Sequence, residues 1–350
     1  MKWVRVFGWG IFALSAAWGQ PEQAFHLNDL GLAAAGRADY AEAERLYGEA
    51  MSIWKSLGPP YQAHLATTQG NLAETLCLQG KRQEGVKAYE EALAVHRRIL
   101  GATNLRTLSL MNLLGGAYLM LGEDERAALL FDEALRTERE LYPQDLQVAR
   151  SLAGLGLLRL HAKKPDEALA LSEEALRLVL RCADEKSLDV ALAYANVGEA
   201  HRWLGHTDRA LPLFRKAVSI YRSILGPDNP RVASALSQEG LIYMADGKYS
   251  MAEKDIVQAL ATLDKSCPRC TFEKLVVETN LGMLRLRQGK YAEADRILTR
   301  VVSTSEQYMA RPGSDMATVL ETLAEVRQRE HRYDEAARLH RRADLILGYR

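Results

Sequence analysis

Small residues fall at a fixed rhythm along this chain, and large apolar residues fall in register with them. Ala43 stands seven residues before Ala50, and the same spacing joins Gly85 to Ala92, Ala127 to Ala134, Ala168 to Ala175 and Ala210 to Ala217. It continues with Ala252 and Ala259, Ala294 and Val301, and Ala336 and Ala343. Twelve residues before each first anchor stands another small residue: Gly31, Ala73, Gly115, Gly156, Gly198, Gly240, Gly282 or Ala324. Seven residues make about two helical turns, so each small pair shares one face of one helix. The residue twelve back lies on the preceding helix, and two antiparallel helices approach closely only where their side chains are small. The pattern therefore predicts helical hairpins repeating about every 42 residues, each burying its apolar face on its neighbours.

With the small sites numbered 8, 20 and 27 in each repeat, two further positions are patterned. Position 7 is large and apolar (Leu30, Leu72, Leu114, Leu155, Val197, Leu281, Leu323), and Glu239 alone departs. Position 24 is bulky (Tyr47, Tyr89, Phe131, Phe214, Ile256, Leu298), with Ser172 and His340 as exceptions. Turn signals such as Gly205-His206-Thr207-Asp208 and Gly247-Lys248-Tyr249 separate the helices within a hairpin.

This pattern resembles the tetratricopeptide repeat. The usual unit is about 34 residues, and the additions here are expected after the second helix, as in Leu225-Gly226-Pro227-Asp228-Asn229-Pro230. That longer unit, with Asn before Leu-Gly or Leu-Ala, is similar to the kinesin-light-chain subtype. The resemblance covers residues 24–348 and implies an all-α fold: a right-handed α-α superhelix of eight helix-turn-helix repeats. The expected repeats are approximately 24–65, 66–107, 108–148, 149–190, 191–232, 233–274, 275–316 and 317–348, in one solenoid.

Charge changes the picture little, since 45 basic residues balance 45 acidic ones. No global field draws the chain to nucleic acid or to an anionic membrane. Residues 1–19 lie outside the repeats. Lys2 and Arg5 precede an uncharged apolar run from Val6 to Trp18, and Ala17-Trp18-Gly19 supplies small residues at a cleavage site. This is the pattern of a secretory signal peptide cleaved after Gly19. The apolar run is shorter than the roughly 20 residues of a spanning helix. The expected product is periplasmic or secreted, with no membrane span after signal removal.

Export brings the four cysteines into an oxidising compartment. Cys267-Pro268-Arg269-Cys270 reads as a small structural disulfide between repeats 6 and 7. The alternative is a redox pair or half a zinc site, which would lack the βαβ context or the second ligand pair such sites use. Cys77 and Cys182 read as unpaired. Catalytic motifs for phosphate loops, zinc proteases and serine hydrolases are absent. Gly154-Leu155-Gly156 lies within a helix, so it is repeat packing and not a dinucleotide turn. The expectation is a protein that is not an enzyme and has no cofactor.

In the resembled family the first helix of each repeat lines the concave side, which implies a groove along positions 2, 5, 6, 9, 12 and 13. Position 6 is Asp, Asn or Gln in five of eight repeats, including Asn71, Asn196 and Asn280. Carboxamides can hold an extended peptide by its backbone, or can tie neighbouring helices together. Arg202, Arg287 and Arg329 add charge, and Trp203, Met244 and Leu286 add apolar surface. Arginine beside an aromatic ring is common hot-spot chemistry. The expected partner is a protein or peptide with acidic and apolar side chains. Repeat 8 ends at Leu345-Ile346-Leu347-Gly348-Tyr349-Arg350 with no extra helix expected after it, so self-assembly through the solenoid ends is the competing role.

Overall fold

The computed structural model describes residues 19–266, 271–308 and 314–347. These residues form sixteen α-helices, and among them there is no strand. The helices come in pairs, a helix A and a helix B. They are α1 (Gln20–Gly36) and α2 (Tyr40–Leu57), then α3 (Gln62–Leu78) and α4 (Arg82–Ile99). Next are α5 (Leu105–Leu121) and α6 (Asp124–Leu141), α7 (Leu146–His161) and α8 (Pro165–Cys182), and α9 (Leu188–Trp203) and α10 (Thr207–Leu225). The last three pairs are α11 (Pro230–Ala245) and α12 (Tyr249–Ser266), α13 (Thr271–Arg287) and α14 (Tyr291–Tyr308), and α15 (Ser314–Arg329) and α16 (Tyr333–Leu347). The chain divides into two compact units, Met1–Ala117 and Tyr118–Arg350.

Local chemistry sets the helix limits. Asp145, Ser187 and Asn229 each stand just before a helix A and accept a hydrogen bond from Gln147 N (2.8 Å), Val190 N (3.3 Å) and Arg231 N (3.0 Å). Such caps satisfy amide groups that the first helical turn leaves free. Every A-to-B turn passes through a left-handed residue: Ala38, Gly80, Gly122, Lys163, Gly205, Gly247, Gly289 and His331. In these turns two carbonyls of the ending helix are taken up, as when Gly247 N bonds Met244 O at 3.1 Å and Lys248 N bonds Tyr243 O at 2.8 Å. The extra length of the repeat is largely helical instead of being looped out after helix B. Helix α10 reaches 19 residues, and α11 begins at Pro230, three residues ahead of position 1.

The small sites act as the spacing requires. A β-carbon on Gly282 would stand 2.6 Å from Leu298 Cδ2, and one on Gly240 would stand 2.8 Å from Ile256 Cγ1. Gly198 meets the Phe214 ring in the same way, and Gly31 meets Tyr47. Position 8 is thus the seat of the bulky position-24 side chain. Where position 24 shrinks to Ser172, its Oγ would stand 3.1 Å from a β-carbon on Gly156.

Within each unit, repeats join by apolar seams and polar ties. In the first unit Trp54 is buried and donates to Thr68 Oγ1 at 3.2 Å, with its ring stacked on Tyr61. In the second, Tyr221, Val232, Leu236, Ile256, Leu263 and Leu284 belong to one buried cluster. Arg285 reaches back to Glu253 at 2.8 Å, and Arg327 reaches Asp295 at 3.0 Å. Both pairs join position 11 of one repeat to position 21 of the repeat before. No helix among the described residues is long and apolar enough to cross a membrane.

Candidate functional site: the helix-A face

The position-6 asparagines divide by what stands at position 5 of the preceding repeat. Asn280 is buried and donates through Nδ2 to Ser237 Oγ at 2.8 Å. Asn71, in the first unit, donates to Asn28 Oδ1 at 3.0 Å. Both carboxamides therefore tie neighbouring A helices. Before Asn196 the matching residue is Ala153, which has no side-chain acceptor. Asn196 is half-buried, and its amide is the one of the three left open to a ligand.

The basic residues divide as well. Arg202 donates to Glu199 on the same helix (Nε to Oε2, 2.9 Å), and Trp203 Nε1 donates to Glu199 Oε1 at 2.9 Å. The Arg202 guanidinium lies 5.8 Å from the Trp203 ring centroid, within reach of a cation–π attraction. Trp203 itself is 46% exposed. Arg329 stands 3.6 Å from Glu325, one turn back. Arg287 is exposed, with no ion-pair partner among the described residues. Of three candidate cations, one is left with an unmatched charge.

Two expected apolar contributors are withdrawn into the core. Leu286 is buried against the cluster around Leu298 and Leu320, and Met244 is half-buried against that around Ile256. Residues not singled out above take their place. Leu157 and Leu192 are exposed, at positions 9 and 2 of successive A helices. Along α9 the set Leu192, Glu199 and Trp203 shares one face, at spacings of seven and four. These positions lie on the expected face, and their apolar character was readable there. In the first unit Phe25, Leu32 and Leu113 are exposed at positions 2, 9 and 6.

The turn after α9 brings His201 Nδ1 to within 3.4 Å of His206 Nδ1. Burial, helped by the neighbouring His206, holds the His201 imidazole below its ordinary value. Cys77 is buried and Cys182 exposed, both as free thiols, and burial pushes the Cys77 thiol up to about 11. Among the described residues no group of three or more His, Cys, Asp or Glu could hold a metal ion. Cys267 and Cys270 lie outside the described residues, as does the apolar segment before Gly19.

Repeated A–B hairpins with an amphiphilic, partly open A face define a helical-repeat protein whose available surface suits binding. A family model described as tetratricopeptide repeat matches residues 64–140, 189–265 and 273–343, and a second model of the same description matches 26–57. The chain belongs to the tetratricopeptide-repeat family. It is 24% identical over 219 residues to kinesin light chain-related protein 1 of Arabidopsis thaliana, covering 62% of this chain and 36% of that one. It is 26% identical over 215 residues to a clustered mitochondria protein homolog of Candida albicans, covering 48% and 16%. The chain thus spans about a third or less of the length of these relatives. Two solved structures share the fold at low identity. One is a Rap protein complexed with competence and sporulation factor (TM-score 0.69, 14% identity, 95% of this chain and 98% of that one). The other is NprR in complex with its cognate peptide NprX (TM-score 0.68, 15% identity, 99% and 89%).

Proposed function

We propose that this protein is an exported scaffold that holds a peptide segment of a partner protein against the A helices of its second unit. The observation that carries the reading is Trp203, a large indole left 46% exposed on the same helix face as Leu192, three turns away. An exposed aromatic flanked by matched charges is a common anchor for binding. Trp203 takes one apolar side chain, Leu157 and Leu192 offer apolar surface further along the face, Arg287 takes the acidic side chain, and Asn196 takes a backbone amide. Trp203 and Arg287 occupy the same position two repeats apart, about 20 Å at the usual helix spacing, which an extended peptide crosses in about six residues. A neighbour of the same fold, solved in complex with its cognate peptide, supports a peptide ligand.

Display of random peptides against the chain beginning at Gln20 tests the reading. Peptides pairing an apolar with an acidic residue should be enriched, and the enrichment should vanish for Trp203→Ala/Arg287→Ala. Equal enrichment on that variant would remove the A face as the site. Export rests on the pattern of residues 1–19, and amino-terminal sequencing from the native host should find Gln20 first. The same preparation should show Cys267 and Cys270 joined, with that peptide lighter by two hydrogens before reduction.

A second reading is self-assembly. Helix α1 exposes Phe25, Leu30 and Leu32, and α16 exposes Leu345 and Leu347. Mass that grows with protein concentration, and that Leu345→Glu abolishes, would favour it.

A further inference from the structure

A cleft of about 520 Å³ opens between α10, α11 and α12, around helix α11 from its groove positions. Its inner wall carries Glu239, the one residue that breaks the apolar rule at position 7. A carboxylate there is not needed for stacking, since seven repeats stack with Leu or Val. Glu239 is 8% exposed and is paired: Oε1 accepts from Arg215 Nε at 3.1 Å and from the Tyr243 hydroxyl at 3.3 Å. Arg215 also donates to that hydroxyl.

Asp255, across the cleft, has no ion-pair partner among the described residues, although Lys254, Arg222 and Arg215 act on it through space. Its Oδ2 is shut off from solvent and has no hydrogen-bond partner in the protein. A buried acceptor without a donor is costly, and a second carboxylate nearby adds repulsion. Turning of the carboxylate toward a donor that enters the cleft, which Asp255 lines, would relieve both. The surroundings suit a long basic side chain: Val218, Leu236 and the exposed Met251 offer apolar wall for its methylenes. At the mouth stand Arg222 and Lys254, exposed and without an ion-pair partner among the described residues. They would oppose a bare cation but would hold an anion placed outside it.

We propose that this cleft binds an arginine or lysine residue bearing a free carboxylate. The side-chain cation meets Asp255, and the carboxylate meets Arg222 and Lys254. Two sources share that chemistry, the C-terminal residue of a peptide and the free amino acid. The site is independent of the A-face reading, and Arg287→Ala should leave it unchanged.

Calorimetric titration of the chain beginning at Gln20 tests this with N-acetyl-arginine, N-acetyl-arginine amide and free arginine. The two acids should bind saturably, and the amide more weakly by about fivefold or more. Tighter binding of free arginine identifies the amino acid as the source, and tighter N-acetyl-arginine identifies a peptide terminus. Asp255→Asn should weaken both acids by about tenfold, the loss of one charged contact. Arg222→Ala/Lys254→Ala should abolish the preference for acid over amide. Burial and the Glu239 carboxylate push Asp255 up to about 6, against the pull of Lys254, Arg222 and Arg215. Binding at pH 6 should therefore release protons and binding at pH 8 should not, as heats in buffers of different ionisation enthalpy report. Absence of saturable binding, or unchanged binding by a folded Asp255→Asn protein, overturns the proposal. So does inorganic phosphate competing as well as N-acetyl-arginine, which would make this an anion site.

Discussion

Arg202 and Glu199 face each other one turn apart on α9, with Nε 2.9 Å from Oε2. The arginine nearest the exposed indole is therefore matched before any ligand arrives, while Arg287 is not. Losing a hydrogen bond to a charged group costs about 1.5–3 kcal/mol. For an apolar–acidic peptide, Arg287→Ala should weaken binding about tenfold or more, and Arg202→Ala only a few-fold. Glu199→Gln should strengthen binding by freeing Arg202. Fluorescence titration with one selected peptide ranks the three variants, and a larger loss for Arg202→Ala would reverse the assignment.

Trp54 and Trp203 are the two tryptophans beyond residue 18, and they differ in setting. Trp54 is buried, hydrogen-bonded and stacked. In a chain beginning at Gln20, acrylamide should quench Trp203 and spare Trp54. Peptide should shift the red-edge emission and protect it, and Trp203→Phe should remove both effects. A response that persists in Trp203→Phe would place the ligand elsewhere.

Gly282 seats Leu298, whose side chain is fully buried. Leu298→Ala should destabilise by about 2–5 kcal/mol. Gly282→Ala should cost about 1–3 kcal/mol by overpacking, despite alanine's better helix propensity. Combined, the two should cost less than their sum, because the cavity relieves the clash. Urea denaturation read by far-ultraviolet circular dichroism measures all three.

Lys163 holds the left-handed turn between α7 and α8 at φ 57°, where five other repeats use glycine. A side chain is unfavourable in that region by about 1–2 kcal/mol, partly offset by glycine's greater freedom when unfolded. Lys163→Gly should stabilise the chain by up to about 1 kcal/mol. A fall in the thermal midpoint would contradict this.

Hydrogen bonds from Arg285 and then Gln288 hold the Glu253 carboxyl down to about 2, against an ordinary value of 4.5. A depressed carboxylate adds stability that is present above its unfolded pKa and lost as pH falls through the folded one. Stability should therefore fall between about pH 4.5 and 2. Asp255 acts in the opposite sense: its raised carboxyl favours the folded state most below 3.8, and stability is lost as pH rises to about 6. Glu253→Gln should flatten the acid limb, and Asp255→Asn the limb between pH 4 and 6. Denaturation midpoints across pH separate the two.

The sequence by itself determined the repeat. Close packing of two helices at one register demands small residues there and a bulky partner at position 24, so the requirement is written locally, as at Gly282 and Leu298. Caps such as Asp145 and Asn229 and the glycine turns are local too. Even the pairing of Arg202 with Glu199, and of Arg329 with Glu325, was legible in principle from spacings of three and four along a helix. What only the tertiary structure decided depends on residues about a repeat away. Asn280 is spent on Ser237 because their helices adjoin, while Asn196 faces Ala153 and stays open. Leu286 turned inward and Leu157 outward because stacking chose which edge of helix A to cover. Asp255 lost solvent from one oxygen without gaining a donor because three helices close around it. Packing in three dimensions fixes which polar groups are consumed and which are left over, and those left over are where a ligand can act.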